Sequence, residues 1–399
     1  MSRSQQKTKK KSAKYVKYSP DKVILIFTIL IAIFGAIMIF DASVFKASAE
    51  WNDPFYFLKS HIVWLLAGAG IGAILYFWDY RKILKLSFPG LVIIFILLVL
   101  VLALGEDING AKRWFSIGPL PQIQPAEFAK LGIILYLASW MSKAQYFNNS
   151  GKVEFKENFL KAFLNFFTIV GIIALLVILE PDLGTTLIIV ASAFVMFFVA
   201  KEHPDHRKYS GLIVLAAIPL IVLVAVLEPY RIQRIKTFLH LLLKGEVADP
   251  RGVDYQMHQI LIGIGSGGFF GKGFGQSRQR FGYLVENTAF TDSIYAVILE
   301  ELGFFGGAIL VIAWIIFFLR GIKIAFNAPD KAGKLLAIGI TTWLTLQTLL
   351  NMAANIGLMP LTGIPAPLLS YGGSSTIITL AAIGILLNIS KYSKNGNSS

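Results

Sequence analysis

Residues 23–41 read VILIFTILIAIFGAIMIFD, and no charged residue occurs in this run before Asp41. The hydrocarbon core of a bilayer is about 30 Å thick, and about 20 residues of apolar helix cross it. Lipid offers no hydrogen-bond partners to a backbone, so such a run is accommodated only as a helix, whose peptide groups bond to each other. The stretch therefore predicts a membrane-spanning helix.

The same signal recurs along the whole chain. Of its 399 residues 55% are hydrophobic and 15% charged, and the mean hydropathy is +0.66, outside the range of soluble domains. Cysteine is absent, which excludes disulfides and thiolate sites, and the five histidines are scattered. We predict an all-α integral membrane protein with ten transmembrane helices, at roughly 23–41, 57–78, 84–104, 126–145, 160–179, 183–200, 210–228, 292–319, 333–357 and 374–391.

The net charge of +14 indicates topology rather than nucleic-acid binding, because the excess lies at the termini and in short loops. By the positive-inside rule both termini are predicted to be cytoplasmic. We divide the chain into a basic cytoplasmic tail (1–22), one membrane domain (23–391) and a short cytoplasmic tail (392–399). The alternative for the N-terminus is a signal peptide, since residues 47–49 resemble a cleavage site. The loop cations on the predicted cytoplasmic side are Arg81, Lys82, Lys85, Lys143, Lys152, Lys156, Lys161, Lys201, Arg207, Lys208, Arg320, Lys323, Lys331 and Lys334.

The long segment 228–292, between the seventh and eighth predicted helices, is then extracytoplasmic. Long loops escape the positive-inside rule, so its cations do not contradict this topology, but they do indicate an anionic partner. Within it, residues 259–274 are too short and too rich in glycine to span, which predicts a re-entrant or interfacial piece. The segment's cations are Arg231, Arg234, Lys236, Lys244, Arg251, Lys272, Arg278 and Arg280.

Two polar motifs precede this segment. In the first, Arg113 beside Trp114 suits a phosphate at the membrane interface, and Glu127 and Lys130 are spaced to pair on one helix face. The alternatives are a snorkelling arginine and a purely structural Glu127–Lys130 clasp. In the second, Glu-Pro-Asp-Leu-Gly-Thr, Asp182 is predicted either to cap the helix that follows or to bind a ligand.

Two further motifs follow it. A helix is predicted to open at Asp292 and to bury Glu300 and Glu301 in its third turn. Asp292 is interpreted as either a helix cap or a general base, and the two glutamates need partners or a wet cavity. Three amides at helical spacing, Gln347, Asn351 and Asn355, indicate interhelical hydrogen bonds. The uncharged loop after them can offer backbone amides and hydroxyls, those of Ser370 and Ser374 among them, to a sugar or phosphate.

These motifs together resemble the SEDS family, the FtsW and RodA proteins that polymerise the bacterial cell wall. The resemblance rests on the segments NGAKRW…QPAEFAK, PDLGT, YRIQRI…YQMHQ…IGSGGFFGKGFG, TDSIYAVILEELG and PLTGIPAPLLSYGGSS. It covers nearly all of the chain after the basic tail. NGAKRW and the long basic N-terminus favour FtsW, the division member, over RodA, the elongation member.

The resemblance implies a peptidoglycan glycosyltransferase of the bacterial inner membrane that uses lipid II, a disaccharide-peptide on undecaprenyl pyrophosphate. It places the catalytic base on Asp292 and gives the extracytoplasmic cations a pyrophosphate to hold. It also implies a class B penicillin-binding transpeptidase and other divisome proteins as partners. A divalent cation can share the pyrophosphate charge, although no ligand cluster demands one. The substrate-binding residues we predict are Arg113, Glu127, Lys130, Asp182, Arg231, Arg234, Lys272, Arg278, Arg280, Glu300, Ser370 and Ser374.

The sequence departs from the family pattern just before Thr291. The stretch between Glu286 and Thr291 is two residues longer than usual and has no proline before it, and Phe290 stands where histidine or glutamine is usual. Ile260 likewise replaces a common serine. The register from Thr291 onward is intact, so the assignment of Asp292 stands, whereas a role for Glu286 does not follow. A lipid II flippase and a scaffold whose carboxylates are structural are the alternative functions.

Overall fold

The structure is a computed structural model that describes residues 19–108, 111–116, 122–144, 155–201, 205–212, 215, 229–252, 254–281 and 286–392. Most of the predicted N-terminal tail, the C-terminal tail from residue 393 and most of the predicted span 210–228 lie outside these residues. Of residues 155–158, 229–231 and 286–287 the backbone alone is described.

The described chain is almost entirely helical. Its helices are α1 (Lys22–Trp51), α2 (Tyr56–Phe77), α3 (Tyr80–Leu104), α4 (Pro125–Lys143), α5 (Phe155–Leu179), α6 (Leu183–Val199), α7 (Pro229–Lys244), α8 (Tyr255–Gly267), α9 (Ile294–Asn327), α10 (Lys331–Asn355) and α11 (Gly373–Ser390). In the described residues two antiparallel strands, β1 (Glu106–Ile108) and β2 (Ala111–Trp114), follow α3, and β2 is the AKRW part of the NGAKRW motif.

Seven of the helices in the described residues are long and apolar enough to cross a membrane, and α6 is an apolar helix of 17 residues. The protein is therefore an all-α, multi-pass membrane protein, as the sequence predicts, while the count of ten spans stays a prediction. The centre of the bundle is formed by α10 and α11, in which 78% and 83% of the apolar window is buried. The corresponding 17% and 22% place α2 and α3 at the lipid-facing periphery.

Close backbone contact holds α2 against α11. A Cβ added to Gly384 of α11 would lie 2.2 Å from the carbonyl oxygen of Gly72, and one added to Gly68 would lie 2.8 Å from Leu380 Cδ1. Small residues allow this approach in membranes, where apolar burial does not drive helices together.

One predicted boundary is wrong. The first helix continues ten residues beyond 41 to Trp51, so Asp41 lies inside it and is buried. A charged residue does not end a helix when a partner elsewhere in the fold neutralises it, and Arg280 does so here. The segment 228–292 contains two helices, α7 and α8, and the predicted re-entrant piece 259–274 begins inside α8.

Helix α9 is broken at Gly303, which adopts φ 69° and ψ −169°. The amide of Phe304 donates to the carbonyl of Gly268 (2.9 Å), and the amide of Lys272 donates to the carbonyl of Glu300 (3.0 Å). The segment after α8 thus supplies the hydrogen bonds that the broken helix cannot make to itself. Irregular backbone at membrane depth is tolerated where protein satisfies it in this way.

Candidate active site

Asp292 lies two residues before the start of α9 and is half-buried. Its Oδ1 accepts a 3.0 Å hydrogen bond from the Thr291 hydroxyl. The residue at the cap position of α9 is Ser293, whose side chain makes no capping bond. Interpreting Asp292 as the helix cap is therefore wrong, and its carboxylate is not held by the first turn of α9.

The backbone of Asp292 is fixed by two of the amides on α10. Asn351 and Asn355 donate from Nδ2 to the Asp292 carbonyl at 2.7 and 2.9 Å. Asn351 also donates to the carbonyl of Ile364 at 2.8 Å. The amides were predicted to bond between helices. Gln347 does so, because it accepts from Lys130 of α4. Asn351 and Asn355 instead tie two loops to α10, because a loop carbonyl has no helical partner of its own.

The loop between α10 and α11 faces the carboxylate. Gly363 has φ 68°, and a Cβ at this position would lie 3.9 Å from Asp292 Oδ2. Ser370 stabilises the same loop from within, since its hydroxyl accepts from the amide of Ala366 at 2.8 Å. A glycine at 363 keeps the space beside Asp292 free of side chain.

Arg234 of α7 is the cation of the 228–292 segment whose charge acts on Asp292 among the described side chains. Its guanidinium donates to the carbonyl of Leu361 and lines a cavity of about 500 Å³, together with Gln233, Thr237 and Asp254. Burial raises the pKa of Asp292 above its ordinary value, and the positive charge of Arg234 and the Thr291 hydrogen bond oppose this shift. A carboxylate whose pKa is raised is a stronger base.

A second polar cluster joins α4, α5, α6 and α11. Asp182 caps α6 by accepting from the amide and hydroxyl of Thr185 at 2.9 and 2.8 Å. Gln124 connects Asp182 to Ser374. Its side-chain amide donates to Asp182 (3.1 Å), and its backbone amide donates to the Ser374 hydroxyl (3.0 Å). Ser374 and Asp182 are therefore brought together, and Asp182 acts as the predicted cap.

Arg113 joins this cluster through backbone carbonyls. It donates from Nε to the carbonyl of Glu180 and from Nη2 to that of Pro181, both at 2.7 Å, and lies beside the ring of Trp114. These contacts neutralise the carbonyl end of α5. A phosphate at Arg113 would have to use its remaining N–H groups.

Sequence reasoning missed Glu180. Its side chain is fully buried, and both of its carboxylate oxygens lack a hydrogen-bond donor within the described residues. Burial, reinforced by the nearby carboxylate of Asp182, raises the pKa of Glu180 to about 8, while Arg113 acts in the opposite direction. The sequence signal that could have identified Glu180 was its position next to Pro181 and two residues before a second carboxylate, Asp182.

Glu127 and Lys130 form a fully buried pair at 2.7 Å. Lys130 also donates to Gln347 Oε1 at 2.9 Å, and Gln347 in turn donates to the carbonyl of Pro365 at 2.8 Å. Through Gln347 the pair therefore supports the loop beside Asp292. This is the arrangement expected of a structural clasp.

Glu300 and the glycine-rich segment form a third cluster. Glu300 accepts from Lys272 at 2.8 Å and from the Ser277 hydroxyl at 2.6 Å, and Arg280 pairs with Asp41 at 2.6 Å. Two of the predicted pyrophosphate-binding cations are thus neutralised by carboxylates of the protein. Arg278 is exposed, and the side chain of Arg231 lies outside the described residues.

Comparison with known proteins identifies the family to which this architecture belongs. The sequence model of the FtsW/RodA/SpoVE family, described as cell cycle protein, matches residues 21–395. The chain belongs to the FtsW/RodA/SpoVE family.

Curated relatives and solved structures cover nearly the whole chain. Stage V sporulation protein E of Bacillus subtilis is 40% identical over 95% of this chain and 99% of its own length. A probable peptidoglycan glycosyltransferase FtsW of Trichlorobacter lovleyi is 37% identical over 93% of each. A chain of a peptidoglycan synthase complex that coordinates polymerization and crosslinking has a TM-score of 0.72, at 29% identity over 93% of this chain and 97% of that one. RodA of Thermus thermophilus has a TM-score of 0.67, at 26% identity over 94% and 98%.

This FtsW/RodA/SpoVE member accommodates its unusual Phe290 in apolar surroundings. The ring is buried and packs on Phe57 (centroids 4.6 Å apart), and its carbonyl accepts from the amide of Tyr371 at 2.9 Å. Ile260 is likewise fully buried. Glu286 has no described side chain. Within the described part of the chain, no group of three histidine, aspartate or glutamate side chains is arranged to hold a metal ion.

Proposed function

We propose that this protein is a peptidoglycan glycosyltransferase that polymerises lipid II, with Asp292 as the general base. The observation that carries the proposal is the state of that carboxylate. It is half-buried, its pKa is raised, its backbone is fixed by Asn351 and Asn355, and its side chain is not engaged as a helix cap. The names of the FtsW relatives support the same activity.

In the proposed reaction Asp292 removes the proton from the 4-hydroxyl of the acceptor sugar. The freed oxygen forms a bond to the anomeric carbon of the donor, with inversion, while the bond from that carbon to the pyrophosphate breaks. The electron pair leaves with undecaprenyl pyrophosphate, and the proton stays on Asp292 until solvent takes it. Because pyrophosphate is a good leaving group, the step needs no second carboxylic acid of the kind used in glycoside hydrolysis.

Cations are proposed to stabilise the charge that develops on the pyrophosphate. Arg234 is best placed, because it lines the 500 Å³ cavity and its positive charge acts on Asp292. Arg231, Arg278 and the remaining N–H groups of Arg113 are further candidates. Lys272 and Arg280 are held by Glu300 and Asp41, so they would bind substrate only by sharing these partners. We propose Ser370, Ser374, Asp182, Glu127 and Lys130 as the residues that shape the surrounding loops.

We further propose that the site faces the outside of the bacterial inner membrane, with both termini cytoplasmic, and that the role is in cell division. The distribution of loop cations supports this orientation. A class B transpeptidase is the proposed partner, supported by the likeness to a chain of a peptidoglycan synthase complex that couples polymerization to crosslinking. The other divisome proteins follow from the division role, which an elongation-type polymerase would lack.

The test is polymerisation of purified lipid II by the purified chain with its transpeptidase. We expect glycan strands from the wild type and a loss of about 100- to 10,000-fold with Asp292→Asn, which removes the base without changing its size. Glu246→Gln is the matched control, because Glu246 is an exposed carboxylate of the same segment. Full activity of Asp292→Asn would contradict the assignment, and transport of lipid II in vesicles without polymer would favour a flippase.

A further inference from the structure

Two carboxyl side chains that the proposed reaction does not use meet inside the protein. Asp41 of α1 and Glu301 of α9 are 3% and 0% exposed, and their carboxyl groups lie within hydrogen-bonding reach of each other. Arg280 is the cation between them, with Nη1 2.6 Å from Asp41 Oδ1 and 3.9 Å from Glu301 Oε1. One positive charge therefore faces two acidic groups.

The hydrogen bonds around this pair are incomplete. Glu301 Oε1 accepts from the amide of Ser277 at 3.0 Å, and Asp41 Oδ1 accepts from Arg280. The second oxygen of each carboxyl, Asp41 Oδ2 and Glu301 Oε2, is buried and has no donor in the described structure. Buried acceptors without a donor are costly, and two adjacent buried carboxylates cannot both be ionised cheaply.

The charges nearby do not supply the missing donor. Next to Glu301 on α9, Glu300 is engaged by Lys272 and by Ser277. On α1, Lys46 lies beyond Asp41 and pairs with Glu50 at 3.4 Å. Arg278 of the glycine-rich segment is exposed, and its backbone amide donates to Glu300. A single proton held between the two carboxyls would supply the donor and leave one negative charge for Arg280.

We propose that Asp41 and Glu301 bind one proton between them, and that this proton-sharing pair positions Arg280 and the segment from Gly271 to Phe281. A carboxylic acid would then donate to the neighbouring carboxylate, as in the paired carboxyls of aspartic proteases. The proton is a structural component, and Asp41 and Glu301 are positioning residues that do not touch the substrate.

The contacts of the segment explain what the pair controls. The amide of Gly273 donates to the Glu301 carbonyl at 3.0 Å, and a Cβ at Gly275 would lie 3.2 Å from Arg280 Nη1. The backbone of the segment is thus anchored to α9, and its arginine to α1. Loss of the proton would leave two carboxylates facing one guanidinium and push α1 away from the segment that carries Lys272 and Arg278.

The first test detects the proton directly and is independent of enzymatic activity. Infrared spectra of the purified full-length protein in lipid nanodiscs at pH 7 should show the carbonyl bands of buried carboxylic acids, one from this pair and one from Glu180. Asp41→Asn and Glu301→Gln should each lose the band of this pair, because the remaining carboxyl then pairs with Arg280 alone and ionises. Glu50→Gln, which alters an exposed carboxylate of α1, is the control and should keep it. An unchanged band in both variants would overturn the proposal.

The second test uses stability against pH. The native pair holds a proton that the unfolded chain has released at neutral pH, so the stability of the wild type should fall as the pH rises from the ionisation of the unfolded carboxyls to that of the native pair. Glu301→Gln provides a permanent donor and should reduce this pH dependence, leaving the part that comes from Glu180, while the protein still folds. The double variant Asp41→Asn/Glu301→Gln leaves Arg280 without a counter-charge and should have a lower Tm than either single variant. Equal pH dependence in wild type and Glu301→Gln would contradict the shared proton.

A consequence for polymerisation rests on the proposed function. The alkaline limb of the rate profile should move to higher pH in Glu301→Gln if the pair positions the segment. If the infrared band behaves as expected but no polymer forms under any condition, the proposed function fails and the proton site stands.

Discussion

The side-chain amide of Asn351 donates a 2.7 Å hydrogen bond to the main-chain carbonyl of Asp292. The same nitrogen donates to the carbonyl of Ile364, so one buried side chain of α10 sets the distance between the proposed base and the loop opposite. The geometry of the site therefore depends on a residue that carries no chemistry of its own.

Replacing Asn351 by alanine should lower kcat more than it changes KM. The buried carbonyl of Ile364 would lose its donor and that of Asp292 would keep only the bond from Asn355, at a cost of about 1–3 kcal/mol for the unsatisfied group. The resulting displacement of Asp292 should cost up to about 100-fold in kcat. Steady-state polymerisation kinetics measure this. Thr348→Val is the control on the same helix, since the Thr348 hydroxyl bonds only its own helix at Leu344. Equal losses in the two variants would contradict the positioning role.

Removing the charge of Arg234 should move the acidic limb of the rate profile. Arg234 lowers the pKa of Asp292 against the larger effect of burial, so Arg234→Gln raises this pKa further. The base acts as carboxylate, which is present above its pKa and lost as the pH falls through it. The acidic limb of kcat should therefore shift to higher pH in the variant. Lys236→Gln on the exposed face of α7 should leave the limb in place. An unshifted acidic limb in Arg234→Gln would show that the charge of Arg234 does not act on Asp292.

Glu180→Gln should stabilise the protein at neutral and alkaline pH. The pKa of Glu180 is about 8 in the folded protein and near 4.5 when exposed, so between these values the unfolded chain ionises while the native chain stays protonated. Stability is lost progressively across this window as the pH rises, by on the order of a few kcal/mol. The glutamine variant should have a Tm that rises over wild type at pH 8 and approaches it at pH 5. Thermal unfolding at the two pH values decides the matter, with Glu246→Gln as the exposed control. A Tm difference that does not depend on pH would argue against a buried protonated Glu180.

Gly303→Ala should be strongly destabilising, with Tm as the readout. The position has φ 69°, and a Cβ there would lie 2.3 Å from the Gly271 nitrogen and 2.5 Å from the Phe269 carbonyl oxygen. Both neighbours are backbone and cannot move aside without breaking the bonds between the segment and α9. Gly70→Ala is the matched control, because nothing lies within 4 Å of its added Cβ. It should be neutral or stabilising by about 0.5–1 kcal/mol, as expected in a helix. Similar Tm values for the two variants would show that the break in α9 tolerates a side chain.

The sequence was sufficient where the signal was local. Long apolar runs predict spanning helices whatever surrounds them, and the cap at Asp182 follows from the Pro-Asp pair and the helix after it. The paired loop cations were not predictable. Lys272 pairs with Glu300, which is 28 residues away in sequence, and Arg280 pairs with Asp41, which is 239 residues away. Neither motif contains a feature that indicates its partner.

The break at Gly303 and the burial of Glu180 were missed for a similar reason. A glycine inside an apolar run is compatible with a continuous helix, and only the approach of the segment around Gly271 makes the break stable. The raised pKa of Glu180 depends on what covers its side chain, which the sequence does not state. The N-cap interpretation of Asp292 failed because its carboxylate binds Thr291 rather than the first turn of α9.

The backbone hydrogen bonds that α9 makes around Gly303 with the segment preceding it also bear on how the chain enters the membrane. The carbonyls of Glu300 and Glu301 and the amides of Phe304 and Phe305 bond to residues 268–273, which leave the ribosome before α9 does. A spanning helix with open peptide groups is poorly tolerated by lipid. We therefore expect this part of the chain to be inserted together with the segment that precedes it rather than one helix at a time.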